Sequence, residues 1–336
     1  MNRKVCEFVL IGLMLICSGC SQASKPAATE SSEESFVLPV GYVPNVQFAP
    51  LYAAIEKGYF KEEGLNITLD HNQETDTVAL VGAGKLPFGI CSGEQVLLGR
   101  NQGLPLVYIA AWYRRYPVGI VSLKEKNFSK MEDLRGATVG IPVLSGTSYI
   151  GLEAMLQTAG MKDQDIQLKA VGYSQVELLT TGKIDAAVVY TTNEPEQLKS
   201  LGYEINLIPA SDLVSMVGNG LITNEQIMKE KPQLAERMTR AFVRGLTWTE
   251  NHPDEAFEIC KKYVTGLDQT KDQTLQKNVL NQTIKLYQSD RNLAPGMSDS
   301  EAWANMAKVL INMGQLPEGF DAAGVFTNDL VEKAEK

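Results

Sequence analysis

One stretch constrains the fold more than any other. A short apolar run, Phe36-Val37-Leu38-Pro39-Val40, gives way to Gly41-Tyr42-Val43-Pro44-Asn45-Val46-Gln47. After it, Phe48, Leu51, Tyr52 and Ile55 fall at i, i+3, i+4 and i+7. The run reads as a buried strand, and the spacing is that of one helix face. Gly58 is placed to end the helix. Strand, turn and helix make the building unit of open α/β sheets. Such sheets hold ligands just past the carboxyl ends of their strands, against helix N-termini. Asn45 and Gln47 occupy that position.

The alternation continues. Strands are expected at 65–69, 88–91, 106–110, 118–123, 137–141 and 203–208, and helices at 75–82, from Ser92 onward, and at 145–159. Alternation of this kind implies an α/β fold with mostly parallel sheets. From residue 232 the pattern turns helical, with segments expected at 232–251, 254–264, 270–287 and 298–313. An internal echo divides the chain: Gly84-Lys85-Leu86-Pro87-Phe88-Gly89-Ile90 matches Gly182-Lys183-Ile184-Asp185-Ala186-Ala187-Val188. Each copy follows a helix, enters a strand and leads to a polar loop, Ser92-Gly93-Glu94-Gln95 in one and Thr191-Thr192-Asn193-Glu194-Pro195 in the other. Two similarly built lobes facing each other are expected, 36–122 with 216–336 as the first and 123–215 as the second. The two crossings would form a hinge.

Pro44-Asn45, Tyr52, Ala54, Lys57-Gly58-Tyr59-Phe60 and Glu63-Gly64-Leu65 together resemble the first unit of type II periplasmic-binding-protein-like receptors. The branch is the one that includes sulfonate-, thiamine-precursor- and riboflavin-binding proteins. Asp133-Leu134-Arg135-Gly136-Ala137-Thr138-Val139-Gly140-Ile141-Pro142 resembles the opening of the second lobe in the same receptors. The resemblance implies a ligand cleft between two lobes, C-terminal helices packed on the first lobe, and partners in an ABC permease and its ATPase. It implies a monomer without a cofactor. The superfamily also holds a pyrimidine synthase with a Cys-rich motif and a PLP-linked lysine. No such cysteine cluster stands in the body of this chain, so an enzyme is the disfavoured class.

The N-terminus points the same way. Arg3 and Lys4 precede an apolar run at 8–16, far short of the ~20 residues needed to span a bilayer. Residues 1–20 read as a signal peptide ending in Cys17-Ser18-Gly19-Cys20, a lipobox-like sequence with Cys20 as the lipidated residue. Residues 21–35, rich in Ser, Ala, Glu, Lys and Pro, read as a flexible tether. The expected location is extracytoplasmic, held to the bacterial cell membrane by the lipid alone. A formal net charge of −9 argues against nucleic acid as a partner.

Few residues offer chemistry. Cys91 and Cys260, the cysteines of the mature body, are expected to be buried apolar residues, with no spacing for a disulfide framework or a metal. His71 and His252 have no neighbouring acid or nucleophile in sequence and read as surface or capping residues. No phosphate loop, metal motif or catalytic constellation is present, and Gly82-Ala83-Gly84 lacks the third glycine of a dinucleotide fingerprint. What stands out is aromatic and amide side chains at strand ends. Tyr42, Phe48, Trp112, Tyr113, Tyr149 and Tyr190 can stack on a flat ring, and Asn45, Gln47, Asn193 and Glu194 can read its edge. Ser92, Glu94, Ser145 and Thr147 open helices beside them. Trp112 has no core partner evident in sequence and is expected to stack on the ligand. The expected ligand is a planar nitrogen heterocycle: riboflavin first, a hydroxymethylpyrimidine-type thiamine precursor second, an alkylsulfonate third.

Overall fold

The computed structural model describes residues 33–71, 74–270, 273–288 and 293–334. The expected signal peptide with Cys20, and the tether as far as Ser32, lie outside the described residues. In chain order the strands are β1 (Glu34–Pro39), β2 (Leu65–Asp70), β3 (Gly89–Ser92), β4 (Leu106–Ala111), β5 (Val118–Leu123), β6 (Thr138–Ile141), β7 (Gln167–Ala170), β8 (Ala186–Tyr190), β9 (Ile205–Pro209) and β10 (Asn219–Asn224). The helices are α1 (Ala49–Glu56), α2 (Tyr59–Glu62), α3 (Glu74–Gly82), α4 (Gly93–Asn101), α5 (Gly146–Thr158), α6 (Gln175–Thr180), α7 (Glu194–Ser200), α8 (Glu225–Glu230), α9 (Pro232–Asn251), α10 (Pro253–Cys260), α11 (Thr274–Tyr287), α12 (Ser300–Asn312) and α13 (Asp329–Ala334).

The strands form a pair β1-β2, a three-stranded sheet β3-β10-β4 and a five-stranded sheet β7-β6-β8-β5-β9. The sheets are mixed, which corrects the expectation of mostly parallel pairing. β1-β2, β6-β7 and β6-β8 are parallel, whereas β10 runs antiparallel to β3 and β4, and β5 antiparallel to β8 and β9. β5 and β10 are the strands on which the chain passes from one sheet to the other, and each enters its new sheet against the grain. Two boundaries move as a result. Val118–Leu123, grouped by sequence with the strands before it, pairs with Tyr190 and Pro209 in the five-stranded sheet. Glu34 and Ser35, assigned to the tether, already pair with Leu65 and Asn66.

The element that carries the first cleft loop is clamped from behind. α1 buries Leu51, Tyr52, Ala53 and Ala54 against α9, whose Leu234, Met238, Ala241, Phe242, Leu246 and Thr249 form one buried face. Gly245 permits the contact, since a Cβ there would stand 2.5 Å from the Pro50 carbonyl oxygen. Burying a side chain such as Phe242 contributes about 1.5–3 kcal/mol. α10, α11 and α13 join the same core. α12 does not belong to the first lobe alone: it packs on both α4 and α5, and Trp303 sits in a core that runs from the three-stranded to the five-stranded sheet.

The echo holds in detail. Gly84 after α3 and Gly182 after α6 both take left-handed φ, +71° and +67°. Gly84 N donates to Val81 O and Lys85 N to Leu80 O; Gly182 N donates to Leu179 O and Lys183 N to Leu178 O. The same glycine-terminated helix end launches β3 in one copy and β8 in the other.

Candidate ligand cleft

A cleft of about 350 Å³ opens past the carboxyl ends of β1, β4, β6, β7 and β8. Its walls come from both sides of the chain crossings. Gly41, Tyr42, Gln47, Phe48, Ile90, Trp112, Tyr113 and Asn219 face Pro142, Val143, Ser145, Gly146, Thr147, Ser148, Tyr173, Gln175, Tyr190, Asn193 and Glu194. Its size falls in the range of small-molecule sites, about 300–1,000 Å³.

Ten of the fourteen residues singled out from sequence line it: Tyr42, Gln47, Phe48, Trp112, Tyr113, Ser145, Thr147, Tyr190, Asn193 and Glu194. The other four do local work. The Asn45 side chain caps the short 3-10 turn at 46–48, accepting from Gln47 N at 3.0 Å. That bond aims the Gln47 side chain into the cleft. Ser92 is fully buried at the start of α4. Glu94 lies behind Thr147, whose hydroxyl donates to it at 2.5 Å. Tyr149 turns away from the cleft, its hydroxyl donating to Asp163 Oδ2 at 2.9 Å on the far side of α5.

The aromatic residues divide into two groups. Trp112 is 2 % exposed, enclosed by Phe48, Tyr113 and Phe242 at centroid distances of 5.7, 5.5 and 6.1 Å. Those partners come from three separate parts of the chain. The expectation that Trp112 offers an open stacking face is not met, because so little exposed surface leaves no face for a ring. Phe48 and Tyr113 are similarly packed, Phe48 edge-on to His71 at 5.2 Å and Tyr113 stacked on Tyr287 at 6.2 Å. The open rings are Tyr42, 48 % exposed, and Tyr173, 83 % exposed, with Tyr190 half-buried beside them. Burial raises the Tyr42 hydroxyl above its ordinary range, with further contributions from Tyr173 and Glu194, so these three groups are neighbours. His71 holds this loop, its Nδ1 meeting the Tyr42 carbonyl.

Side-chain hydrogen bonds cross the cleft. Gln47 Nε2 donates to Thr192 Oγ1 at 2.7 Å, and Thr147 Oγ1 donates to Glu94 Oε1. Glu194 opens α7 and accepts from Tyr190 N at 3.1 Å. Burial holds its carboxyl above the usual range against the lowering effect of its backbone hydrogen bonds. It is the single charged side chain among the described lining residues. Asn219 Oδ1 is buried at the cleft without a hydrogen-bond partner. Tyr173, Gln175, Thr192 and Asn219 were missed from sequence. The Gly172-Tyr173 turn follows β7, a four-residue strand with too weak a pattern to be read. Cys91 and Cys260 are buried, as expected, and burial pushes the Cys260 thiol up to about 12. His252 caps α9 against the Trp248 carbonyl at 2.9 Å.

Mixed sheets crossed twice by the chain, with a cleft over the strand ends between them, define the periplasmic binding-protein fold. The sulfonate-binding protein SsuA of Methylobacillus flagellatus superposes with a TM-score of 0.69 over 90 % of this chain and 94 % of its own, at 14 % identity. The chain belongs to the NMT1/THI5-like family, whose match spans residues 45–256. It is 31 % identical to the riboflavin-binding protein RibY of Chloroflexus aurantiacus, covering 96 % of each chain. It is 29 % identical to the formylaminopyrimidine-binding protein of Halalkalibacterium halodurans, over 88 % of this chain and 91 % of that one.

Proposed function

We propose that this protein is the solute-binding component of an ABC importer, capturing a planar nitrogen heterocycle in the cleft and delivering it to the permease. Riboflavin is the first ligand. The observation that carries the reading is the pairing of open tyrosine rings, Tyr42 and Tyr173, with edge-reading groups, Gln175, Asn193, Glu194 and Asn219, around one cleft. Offset stacking of a flat ligand contributes about 0.5–1.5 kcal/mol per ring beyond burial. Amides and a carboxylate read donors and acceptors on its edge. The likeness to riboflavin- and formylaminopyrimidine-binding proteins supports the same class. The two sides act as lobes about a hinge at the crossings, 112–117 and 210–218, and contacts from both give the closed form its higher affinity. Cys20 carries the lipid that keeps the protein at the outer face of the cell membrane, where it works as a monomer.

An aminopyrimidine thiamine precursor is the second reading, favoured by the formylaminopyrimidine-binding relative. An alkylsulfonate ranks below both, because no Lys, Arg or His lines the cleft among the described residues. The test is titration of the purified protein, following intrinsic fluorescence, with riboflavin, then the hydroxymethylpyrimidine, then an alkylsulfonate. Binding of riboflavin, weakened by Tyr42→Ala, is the expected result. Binding of the sulfonate alone would discard the heterocycle.

A further inference from the structure

Resting on the heterocycle reading, we propose that the cleft is a charge filter as well as a shape filter: it takes a neutral or cationic ring and refuses the same ring bearing a phosphate or sulfonate, with Glu194 setting the discrimination. Three observations carry this. Glu194 has no ion-pair partner among the described residues, and it stands beside Tyr42 and Tyr173 where a bound ring would lie. An anion entering the cleft therefore meets a carboxylate and, among the described residues, no cation.

The second observation concerns α5, whose N-terminus faces the cleft through Ser145, Gly146 and Thr147. A helix start of this length ordinarily attracts anions. Here the Thr147 hydroxyl is turned onto the fully buried Glu94, so that end already looks onto a carboxylate of the protein. The third is the state of Arg114 and Arg115, the two arginines that follow Tyr113 in the chain. Arg114 donates to the carbonyls of Tyr287, Leu293 and Ala294, and Arg115 pairs with Asp212 at 2.7 Å. Both are already committed, and neither lines the cleft.

The experiment compares riboflavin with riboflavin 5′-phosphate, which share one ring system and differ by a phosphate. Dissociation constants are measured for the wild type and Glu194→Gln, each at low and high ionic strength. A carboxylate and a phosphate roughly 8 Å apart in a partly solvated cleft imply an affinity ratio on the order of 30-fold in favour of riboflavin. The ratio should shrink several-fold in Glu194→Gln, and in the wild type as salt screens the repulsion. The salt arm needs no variant, so it decides the matter even where Glu194→Gln fails to fold. Equal or tighter binding of the phosphate, or a ratio indifferent to salt and to Glu194→Gln, overturns the filter and leaves the riboflavin reading standing. If neither flavin binds, the hydroxymethylpyrimidine and its phosphate replace them, and a ratio favouring the unphosphorylated ring still supports the filter. Binding of none of the four removes both the ligand reading and the filter built on it.

Discussion

Glu94 and Glu194 occupy corresponding places in the two echoed units, and their fates differ. Each stands at the start of the helix that follows an echoed strand, β3 before Glu94 and β8 before Glu194. Glu94 is fully buried and accepts from Thr147 across the cleft. Glu194 is half-buried on the cleft wall, with no cation beside it among the described residues. The local cause is the joint between strand and helix. β3 runs directly into α4, and Gly93 is pressed so closely on Val217 that a Cβ would come within 2.6 Å of its side chain. That contact drives the start of α4 under the second chain crossing. β8 instead reaches α7 through Thr191, Thr192 and Asn193, and this turn swings Glu194 outward. Repetition of sequence fixes where a carboxylate enters the fold; what packs on the joint decides whether it joins the protein to itself or faces a ligand.

Deleting each carboxylate, with stability and binding measured separately, tells their two roles apart. Glu94→Ala leaves the half-buried Thr147 hydroxyl without its acceptor and opens a void at the fully buried Glu94 site, and should cost about 2–3 kcal/mol of unfolding free energy by urea titration. A neutral Glu94→Ala would end the claim that this residue holds the two sides together. Glu194→Ala should leave stability nearly unchanged and instead weaken heterocycle binding by about 1–2 kcal/mol. Because burial raises the Glu194 carboxyl, its protonation on acidification begins at a higher pH than for an ordinary glutamate. Wild-type affinity should therefore fall as pH drops through that window, and Glu194→Gln should be flatter. Identical pH profiles would remove the carboxylate from recognition.

Much of this molecule can be read without coordinates, and the limits have physical causes. The strand, turn and helix of the first unit are local patterns, and α9 begins at Pro232 and ends at Asn251 as its apolar period requires. The pairing of β5 is not local. Its sequence, Val-Gly-Ile-Val-Ser-Leu, is buried on every residue and would suit either sheet. Trp112 misleads for a related reason. Tyr113-Arg114-Arg115 looks like a polar, exposed flank, but Arg114 is drawn into carbonyls more than 170 residues away and Tyr113 stacks on Tyr287. The open ring that was missed, Tyr173, follows β7, an edge strand with mostly exposed side chains that carries no alternation to find.

A third carboxylate, away from the cleft, tests the effect ascribed to burial where a neighbouring acid adds to it. Glu153 lies on α5 beside Asp163 and Tyr149, and its carboxyl is pushed up to about 8, first by burial and then by Asp163. The folded chain keeps a proton there that the unfolded chain has released. Stability should thus decline as pH rises from the ordinary glutamate range toward 8, by linkage. Glu153→Gln keeps the neutral form at every pH. Its advantage over the wild type should be near zero at pH 5 and reach about 1 kcal/mol above pH 8, solvent screening at this partly exposed site being allowed for. A pH-independent difference would show that the Glu153 carboxyl is not raised in the folded chain.

The smallest effect is expected at the second bond across the cleft, where Gln47, 8 % exposed, donates to Thr192. Both partners are uncharged, so the bond lacks the strength of the one at Glu94, and its net value is about 0.5–1.5 kcal/mol. Thr192→Val keeps the shape and removes the acceptor; Gln47→Leu removes the donor. Either alone strands a polar group in a buried place, while the double variant strands none. The double-mutant cycle should return a coupling of about 1 kcal/mol, with the double variant closer to wild type than the sum of the singles. The cycle is measured twice, by urea unfolding without ligand and by riboflavin titration. If the bond is a latch formed on closure, the coupling appears in the titration and is weaker in the unfolding of the ligand-free protein. If the two sides are joined in both states, it is equal in the unfolding and cancels from the affinity. Strictly additive variants in both measurements would mean that the Gln47–Thr192 contact links nothing across the cleft, leaving Glu94 and Thr147 as the pair that does.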